Sequence, residues 1–181
     1  ISETLQTLSN KKNICKQDKF LNESECASLI EKCEFSDAKY PSAWLKNNEF
    51  PGIIVKISSL CNVVPSYLEN MNVIKYTSGQ SHGPFHDAYD VLSEKGRKYT
   101  DRLGQRVKTI TICLSESLRY EFDRLNMSVI CHKGTLICYD NVVETTQRDV
   151  DISHRIINSS QNDCYLVNLY VREKDKNGNV N

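Results

Sequence analysis

The sequence predicts an α+β fold, with helices in the first third of the chain and strands in the rest. Near the N-terminus, apolar residues recur with helical spacing in FLNESECASLIEKCE. After residue 70 they fall in short runs rich in Val, Ile, Thr and Tyr, which are typical of β-strands. Helices followed by strands indicate helices packed on one side of a sheet or barrel.

The predicted elements follow one another without a repeat or a low-complexity linker. Either Asn22 or Ser24 is placed to cap the first helix. The stretch PGIIVKISSLCNVV is predicted to be helical in its second half. Strands are predicted in NVIKYTSGQ, in QRVKTITICLS, on both sides of Lys133-Gly134 in MSVICHKGTLICYDN, and in DCYLVNLYVRE. The stretches EKGRKYTDRLGQR and DNVVETTQRDVD are predicted to be exposed loops, the first also a candidate partner-binding loop.

Chain length and charge limit the classes of protein to consider. The 181 residues are enough for one sizeable domain, which we expect over residues 1–173, followed by a polar tail over 174–181. Lys plus Arg equals Asp plus Glu at 23 each, so neither a nucleic-acid nor a membrane partner is expected. No apolar run reaches the roughly 18 residues of a membrane helix. Because the chain begins with Ile1, we expect a processed or truncated product.

Eight cysteines are spread along the chain without a CxxC pair, so no zinc-finger spacing is present. Three triplets have the N-x-S/T pattern of glycosylation acceptors, at Asn22, Asn126 and Asn158. These features permit a secretory compartment and leave other compartments equally open.

The stretch YTSGQSHGPFHDAYD and a His late in the chain indicate one kind of metal site. Two His and one carboxylate on one face hold non-haem iron(II) and leave positions open for substrate and oxygen. The first two ligands occur as H-x-D on a strand, because residues two apart share a face. Here the order is Phe85, His86, Asp87, and the late residue is His154.

Six segments carry a resemblance to a known family, in that family's order. FLNESECASLI resembles its opening helix, SAWL its S…WL segment, and VIKYTSGQ the strand before its GQ…PHxDAFD motif. GQRVKTITICLSE resembles GQRxATxLxYLND, HKGTLICYDN resembles PxKGxALLFxN, and SHRIINSSQNDCYLVNLYVR resembles the strand of the distal His. Over about residues 18 to 172 the chain thus resembles the prolyl 4-hydroxylase group of iron(II)- and 2-oxoglutarate-dependent dioxygenases. The resemblance implies a double-stranded β-helix (jelly-roll) with N-terminal helices packed on one side.

The resemblance implies metal-ligand positions, and one of them has changed. Asp87 and His154 stand where the carboxylate and the distal His belong. Phe85 stands where the first His belongs and offers no lone pair. In a regular strand His86 points away, because one step reverses the face. A β-bulge near Gly83-Pro84 would re-aim His86 as the third ligand.

The cosubstrate positions differ in the same way. Tyr76 and Thr109 match family positions that contact 2-oxoglutarate, but Cys164 replaces the Lys or Arg that binds its far carboxylate. A neutral Cys cannot supply that charge-assisted hydrogen bond. In SLRYEF, Ser117 and Leu118 or their neighbours replace two glycines of the family, which predicts a narrower or reshaped pocket mouth. His82 and His132 have no partner at metal spacing and are predicted to be surface residues.

Two functions follow from these residues. The first is a pseudoenzyme with no cofactor, in which Asp87 and His154 are vestigial ligands and the fold binds a protein or peptide, a homologous subunit or a larger assembly. The second is an active prolyl hydroxylase that uses Fe(II) and 2-oxoglutarate, with Asp87, His154 and either His86 or water as ligands.

Overall fold

The computed structural model describes residues 5–144 and 147–179. Three α-helices are present in this part of the chain: α1 (Glu23–Glu31), α2 (Pro51–Cys61) and α3 (Glu94–Thr100). The strands in the same ranges are β1 (Gln6–Thr7), β2 (Ile14–Gln17), β3 (Ser42–Leu45), β4 (Met71–Tyr76), β5 (Ser81–Phe85), β6 (Arg106–Cys113), β7 (Ser117–Phe122), β8 (Met127–His132), β9 (Leu136–Asp140), β10 (His154–Ile157) and β11 (Cys164–Arg172).

The strands form two antiparallel sheets. The major sheet has seven strands in the order β1-β2-β9-β6-β11-β4-β3, and the minor sheet has four in the order β5-β10-β7-β8. The predicted α+β class is therefore confirmed. The turn at Lys133-Gly134 joins the two predicted strands β8 and β9, but these strands belong to different sheets.

One hydrophobic core lies between the helices and the major sheet. We call it the helix-side core; its members include Leu29, Ile57, Ile110, Val167 and Leu169, all fully buried. A second core, the inter-sheet core, joins the two sheets and includes Tyr76, Cys113, Leu118, Tyr139 and Ile156. Strand β6 contributes to both cores because its successive side chains point to opposite faces.

The first helix has the predicted cap. The Asn22 side chain accepts a hydrogen bond from the Glu25 backbone N–H at 2.8 Å, and the Glu25 carboxylate accepts one from the Asn22 backbone N–H at 3.1 Å. This reciprocal arrangement is a capping box. Of the two candidates for the cap, the structure has Asn22 rather than Ser24.

The second helix is longer than predicted. It begins at Pro51, so the expectation of a helix only in the second half of PGIIVKISSLCNVV is wrong. Proline suits the first helical position because its φ is already helical and its missing N–H would have no partner there. Ile53, Ile54, Ile57 and Cys61 are its buried residues.

Other differences concern short elements. Residues 94–100, predicted as loop, form α3, whose cap Ser93 accepts a hydrogen bond from the Gly96 N–H. Strands β1 and β2 were not predicted, and β2 is fixed by pairing with β9. Thr145 and Thr146 of the second predicted loop, residues 180–181 of the predicted tail, and residues 1–4 lie outside the described residues.

The cysteines and the glycosylation triplets have distinct surroundings. All eight cysteines are free thiols. Asn22 and Asn126 are exposed, but Asn158 is fully buried. Its amide nitrogen donates to the backbone carbonyls of Tyr76 (2.9 Å) and Asn162 (2.8 Å).

No helix in the described ranges is long and apolar enough to cross a membrane.

Candidate functional site

Strands β5 and β10 bring the predicted site residues together. They pair antiparallel, with Phe85 opposite His154 and His82 opposite Ile156. Three steps along β5 therefore match two steps along β10, which is a β-bulge at Gly83-Pro84. Gly83 has φ +115°, and a Cβ there would lie 2.7 Å from the His154 carbonyl oxygen, so only glycine fits this approach.

The bulge lies before Phe85, so it orients Phe85 rather than His86 toward His154. The ring centroids of Phe85 and His154 are 4.5 Å apart in an edge-to-face arrangement. His86 follows the strand, half-buried, and burial lowers its pKa. Within residues 5–144 and 147–179, no group of three or more His, Cys, Asp or Glu side chains is arranged to hold a metal ion.

Asp87 and His154 do converge, as their family positions predict. Their closest atoms, Asp87 Oδ2 and His154 Nε2, are 3.6 Å apart, and both side chains are buried. His154 Nδ1 lies 2.9 Å from the Ile152 carbonyl oxygen, which can only accept, so Nδ1 carries the proton. In a neutral ring the lone pair is then on Nε2, the nitrogen that faces Asp87.

A tyrosine hydroxyl occupies the space next to both residues. Tyr139 Oη donates to Asp87 Oδ2 at 2.6 Å and lies 3.4 Å from His154 Nε2. It is also 2.6 Å from the Tyr120 hydroxyl. Burial and the Asp87 charge raise the pKa of Tyr139, so its hydroxyl keeps its proton and donates. Sequence reasoning missed Tyr139, although it stands at the Phe of the motif PxKGxALLFxN.

The predicted cosubstrate residues have partners within the protein. Thr109 Oγ1 donates to Asp87 Oδ2 at 2.8 Å and accepts from Asn141 at 2.8 Å. Tyr76 and Cys164 are directly opposite each other on β4 and β11. The Cys164 thiol is fully buried and donates to the Ser117 carbonyl oxygen at 3.3 Å.

His82 is not a surface residue, which corrects the prediction. Its ring is half-buried and stacks on Tyr40 with centroids 3.9 Å apart. Its Nδ1 is 2.9 Å from the Tyr76 hydroxyl, and its ring is 4.6 Å from that of Phe85. In a regular strand, residues three apart point to opposite faces, but the bulge places His82 and Phe85 on the same face.

The segment SLRYEF forms β7 and fills space inside the sheets. Leu118, Tyr120 and Phe122 alternate along the strand, and all three are buried in the inter-sheet core. The Tyr120 ring stacks on His154 with centroids 5.0 Å apart. Of the two residues that the resemblance sets against the family's glycines, Leu118 is buried and Ser117 is half-buried.

Iron(II) does not fit the residues present. Phe85 supplies no donor atom at the first ligand position, and the Tyr139 hydroxyl binds Asp87 Oδ2, the carboxylate oxygen nearest His154 Nε2. Two ligands, Asp87 and His154, remain of the three that this type of site needs.

The residues present do not fit 2-oxoglutarate either, because Cys164 offers no positive charge. Arg155, the nearest cation in sequence, instead forms an ion pair with Asp123 at 2.9 Å on the exposed side of β10. A carboxylate next to Cys164 would be buried without a counter-charge, which is costly.

Comparison with solved structures identifies the fold. No protein-family model and no curated protein sequence matches the chain. Solved structures do match. The viral collagen prolyl hydroxylase of Paramecium bursaria Chlorella virus-1, in its 2-oxoglutarate complex, is 19% identical with a TM-score of 0.69, over 91% of this chain and 98% of that one. The chain has the prolyl hydroxylase fold.

Two other structures with this fold come from different organisms. A Pseudomonas putida prolyl-4-hydroxylase is 13% identical with a TM-score of 0.57, over 89% of this chain and 92% of that one. A Trichoplax adhaerens prolyl hydroxylase, in complex with a hypoxia inducible factor peptide fragment, is 14% identical with a TM-score of 0.57, over 90% of this chain and 84% of that one. At these identities the likeness establishes the fold, so the predicted double-stranded β-helix is confirmed.

Proposed function

We propose that this chain uses the prolyl hydroxylase fold as a protein- or peptide-binding module and has lost Fe(II)/2-oxoglutarate catalysis. The observation that carries the proposal is the contact between the Tyr139 hydroxyl and Asp87 Oδ2 at 2.6 Å. In this arrangement a buried carboxylate takes its hydrogen bonds from the protein's own hydroxyls, as a structural group does.

Changes at separate positions support the same conclusion. Phe85 removes a metal ligand, and Cys164 removes the cosubstrate's counter-charge. These residues lie on strands of different sheets, β5 and β11. Loss of both functions at separate positions, with the strand pattern intact, is what we expect when the scaffold is retained for binding.

The surface around α3 supports a protein or peptide partner. Leu92 is 86% exposed and Tyr99 is 49% exposed, and Lys95 lies over the Tyr99 ring. The family resemblance places this region beside the substrate groove. The Trichoplax adhaerens protein with the same fold binds a peptide fragment. Exposed aromatic and apolar side chains are typical of binding surfaces.

Metal and cosubstrate binding test the proposal. The purified protein is mixed with Mn²⁺ and 2-oxoglutarate, desalted, and analysed for metal content, and its melting temperature is measured with and without both compounds. We expect substoichiometric metal and no shift in melting temperature. One equivalent of metal together with a 2-oxoglutarate-dependent rise in melting temperature would contradict the proposal.

A variant series tests which residues prevent metal binding. We expect the triple variant Phe85→His, Tyr139→Phe, Cys164→Lys to gain Mn²⁺ binding, because it restores a third ligand and removes the competing hydroxyl. Tyr139→Phe alone is the matched control and gains none, since it still has only two ligands.

The second candidate is an active hydroxylase, and the convergence of Asp87 and His154 at 3.6 Å favours it. Its ligands would be these two residues with His86 or water. It requires that the wild type form succinate from 2-oxoglutarate and that Asp87→Ala abolish this activity. Equal succinate formation by the two proteins rules it out.

A further inference from the structure

The two sheets end in four edge strands within the described ranges, namely β1, β3, β5 and β8. An edge strand has backbone N–H and C=O groups without partners in its own sheet, so another strand can add to it. Strand β1 has two residues, β3 has four and β5 has five. Strand β8 has six and is therefore the longest of these edges.

The edges at β3 and β5 are blocked by the protein itself. On β3, the Ser36 N–H donates to the Ser42 carbonyl oxygen at 3.0 Å, and the Ser36 hydroxyl accepts from the Ser42 N–H at 3.1 Å. On β5, the Tyr40 hydroxyl donates to the Ser81 carbonyl oxygen at 2.8 Å. Pro84 on the same strand has no N–H to offer. A further strand cannot pair regularly with either edge.

Strand β8 has none of the features that usually protect an edge. Its sequence, MSVICH, contains no proline, no glycine and no Lys, Arg, Asp or Glu. Ser128, Ile130 and His132 alternate along the strand, and their side chains are exposed on the outer face of the minor sheet. Ile130 is 56% exposed, so this edge also carries an apolar side chain at its centre.

The backbone bonds of β8 show which groups are free. The Lys133 N–H donates to the Glu116 carbonyl oxygen at 3.3 Å, in register with the β7–β8 pairing. In an antiparallel pair every second residue bonds to its opposite residue, and the residues between them point their backbone groups away. Ser128 and Ile130 therefore point theirs away from β7. Among the residues that the structure describes, no other group bonds to them.

The other side of β7 leads to the same assignment. The Asn158 N–H donates to the Gln80 carbonyl oxygen at 2.9 Å, so alternate residues before Asn158 bond to β5 and the residues between them bond to β7. Arg155 is one of the latter, and its opposite residue on β7 is Glu121. Tyr120, next to Glu121, therefore bonds to β8, as the bond at Lys133 also requires.

We infer that β8 pairs antiparallel with β8 of a second copy of this chain, so that two four-stranded minor sheets form one continuous sheet. A two-fold axis at Ile130 places Ile130 opposite Ile130 of the second copy, and Ser128 opposite His132. The free N–H and C=O groups of Ser128 and Ile130 then bond to groups of the second copy.

A second copy fits this edge because the strand is complementary to itself. The two Ile130 side chains bury apolar surface against each other, and Ser128 can hydrogen-bond to His132. No like charges meet, since β8 has no Lys, Arg, Asp or Glu, and the nearest charges on the outer face, Arg119 and Glu121, lie one strand away on β7. The interface uses no residue around Asp87 or α3, so it is independent of the proposed function.

Analytical ultracentrifugation of the full chain tests the inference. The protein is kept reduced with dithiothreitol, so that disulfides between copies do not form, and is measured from low to high micromolar concentration. We expect a dimer that dissociates on dilution. A protein that stays monomeric at every concentration overturns the inference and leaves this edge to a strand of another protein.

Two substitutions at one position separate this interface from any other. Ile130→Lys places like charges opposite each other at the two-fold axis, and we expect it to raise the dissociation constant about tenfold or more. Ile130→Pro removes an N–H that points away from the sheet, which an edge strand tolerates, and we expect a folded monomer. The matched control is Val55→Lys, at a β-branched residue of α2 that is 65% exposed, and it leaves the dimer unchanged.

Amide hydrogen exchange, resolved by NMR, identifies the strand directly. In the wild type at high concentration we expect the Ser128 and Ile130 amides to exchange slowly, and in Ile130→Lys we expect the Ser128 amide to exchange as fast as an unpaired one. If neither variant folds by circular dichroism, exchange in the wild type at high and low concentration decides. A dimer with fast exchange at Ser128 and Ile130, or an Ile130→Pro protein that still dimerises, contradicts the inference.

Discussion

Asp87 is the residue on which the polar cluster between the sheets is centred. Its Oδ2 accepts hydrogen bonds from Tyr139 at 2.6 Å and Thr109 at 2.8 Å. Burying a carboxylate without partners is unfavourable, so these hydroxyls stabilise the charge inside the protein. In this chain the donors are hydroxyl groups of the protein, which makes the cluster part of the core.

Tyr139→Phe removes one of these donors without changing the shape of the ring. We expect the free energy of unfolding to fall by about 1–3 kcal/mol, because a buried carboxylate oxygen loses a hydrogen bond. Urea denaturation measures this change. The control Tyr67→Phe, at a half-buried tyrosine, changes stability by less than about 0.5 kcal/mol. A Tyr139→Phe protein as stable as the wild type would show that the hydroxyl does not stabilise Asp87.

Sequence reasoning could place Asp87 and His154 because strand alternation and motif order fix which residues face inward. It could not assign a role to Tyr139. The change from Phe to Tyr was visible in HKGTLICYDN, but its effect depends on which side chains the hydroxyl meets across the sheet. Those contacts come from strands distant in sequence.

At the scale of elements, strand β5 shows that the local sequence pattern does not determine where a β-bulge falls. Gly83-Pro84 indicates a bulge, yet the sequence does not say whether the bulge falls before or after Phe85. Pairing with β10 decides this, and it brings both His82 and Phe85 to the inner face. Strand β2 is similar, because its pairing with β9 and β1, rather than its own sequence pattern, makes it a strand.

A side-chain cap on α1 was predicted with Asn22 and Ser24 as alternatives, and the observed cap at Asn22 gives a test at this scale. We expect Asn22→Ala to lower the free energy of unfolding by about 0.5–2 kcal/mol, because the Glu25 N–H loses its acceptor. Urea denaturation measures it. Ser24→Ala, at the exposed second residue of the helix, is the matched control and has little effect. Equal losses in both variants would argue against the cap.

For the whole molecule, burial of imidazole rings makes stability depend on pH. Burial lowers the pKa of His82 and of His86, so the folded protein favours their neutral forms. The unfolded chain therefore binds more protons as the pH falls below about 6.5. The stability that neutral His82 contributes is present at pH 7.5 and is lost as the pH falls.

Urea denaturation at pH 7.5 and pH 5.5 measures this dependence. We expect the lower pH to reduce the midpoint concentration, and we expect His82→Gln, which does not titrate in this range, to reduce the difference. A midpoint that rises between pH 7.5 and pH 5.5 would contradict the sign of the effect.

The burial of Asn158 has a consequence for how the chain is made. An oligosaccharide is attached to the side-chain amide nitrogen of asparagine, but here that nitrogen lies inside the protein and holds two backbone carbonyls in place. Enzymatic attachment at Asn158 thus has to precede closure of the barrel. A sugar chain found at this residue would mark molecules that were modified early and could not then complete the native packing between β4 and the segment that leads into β11.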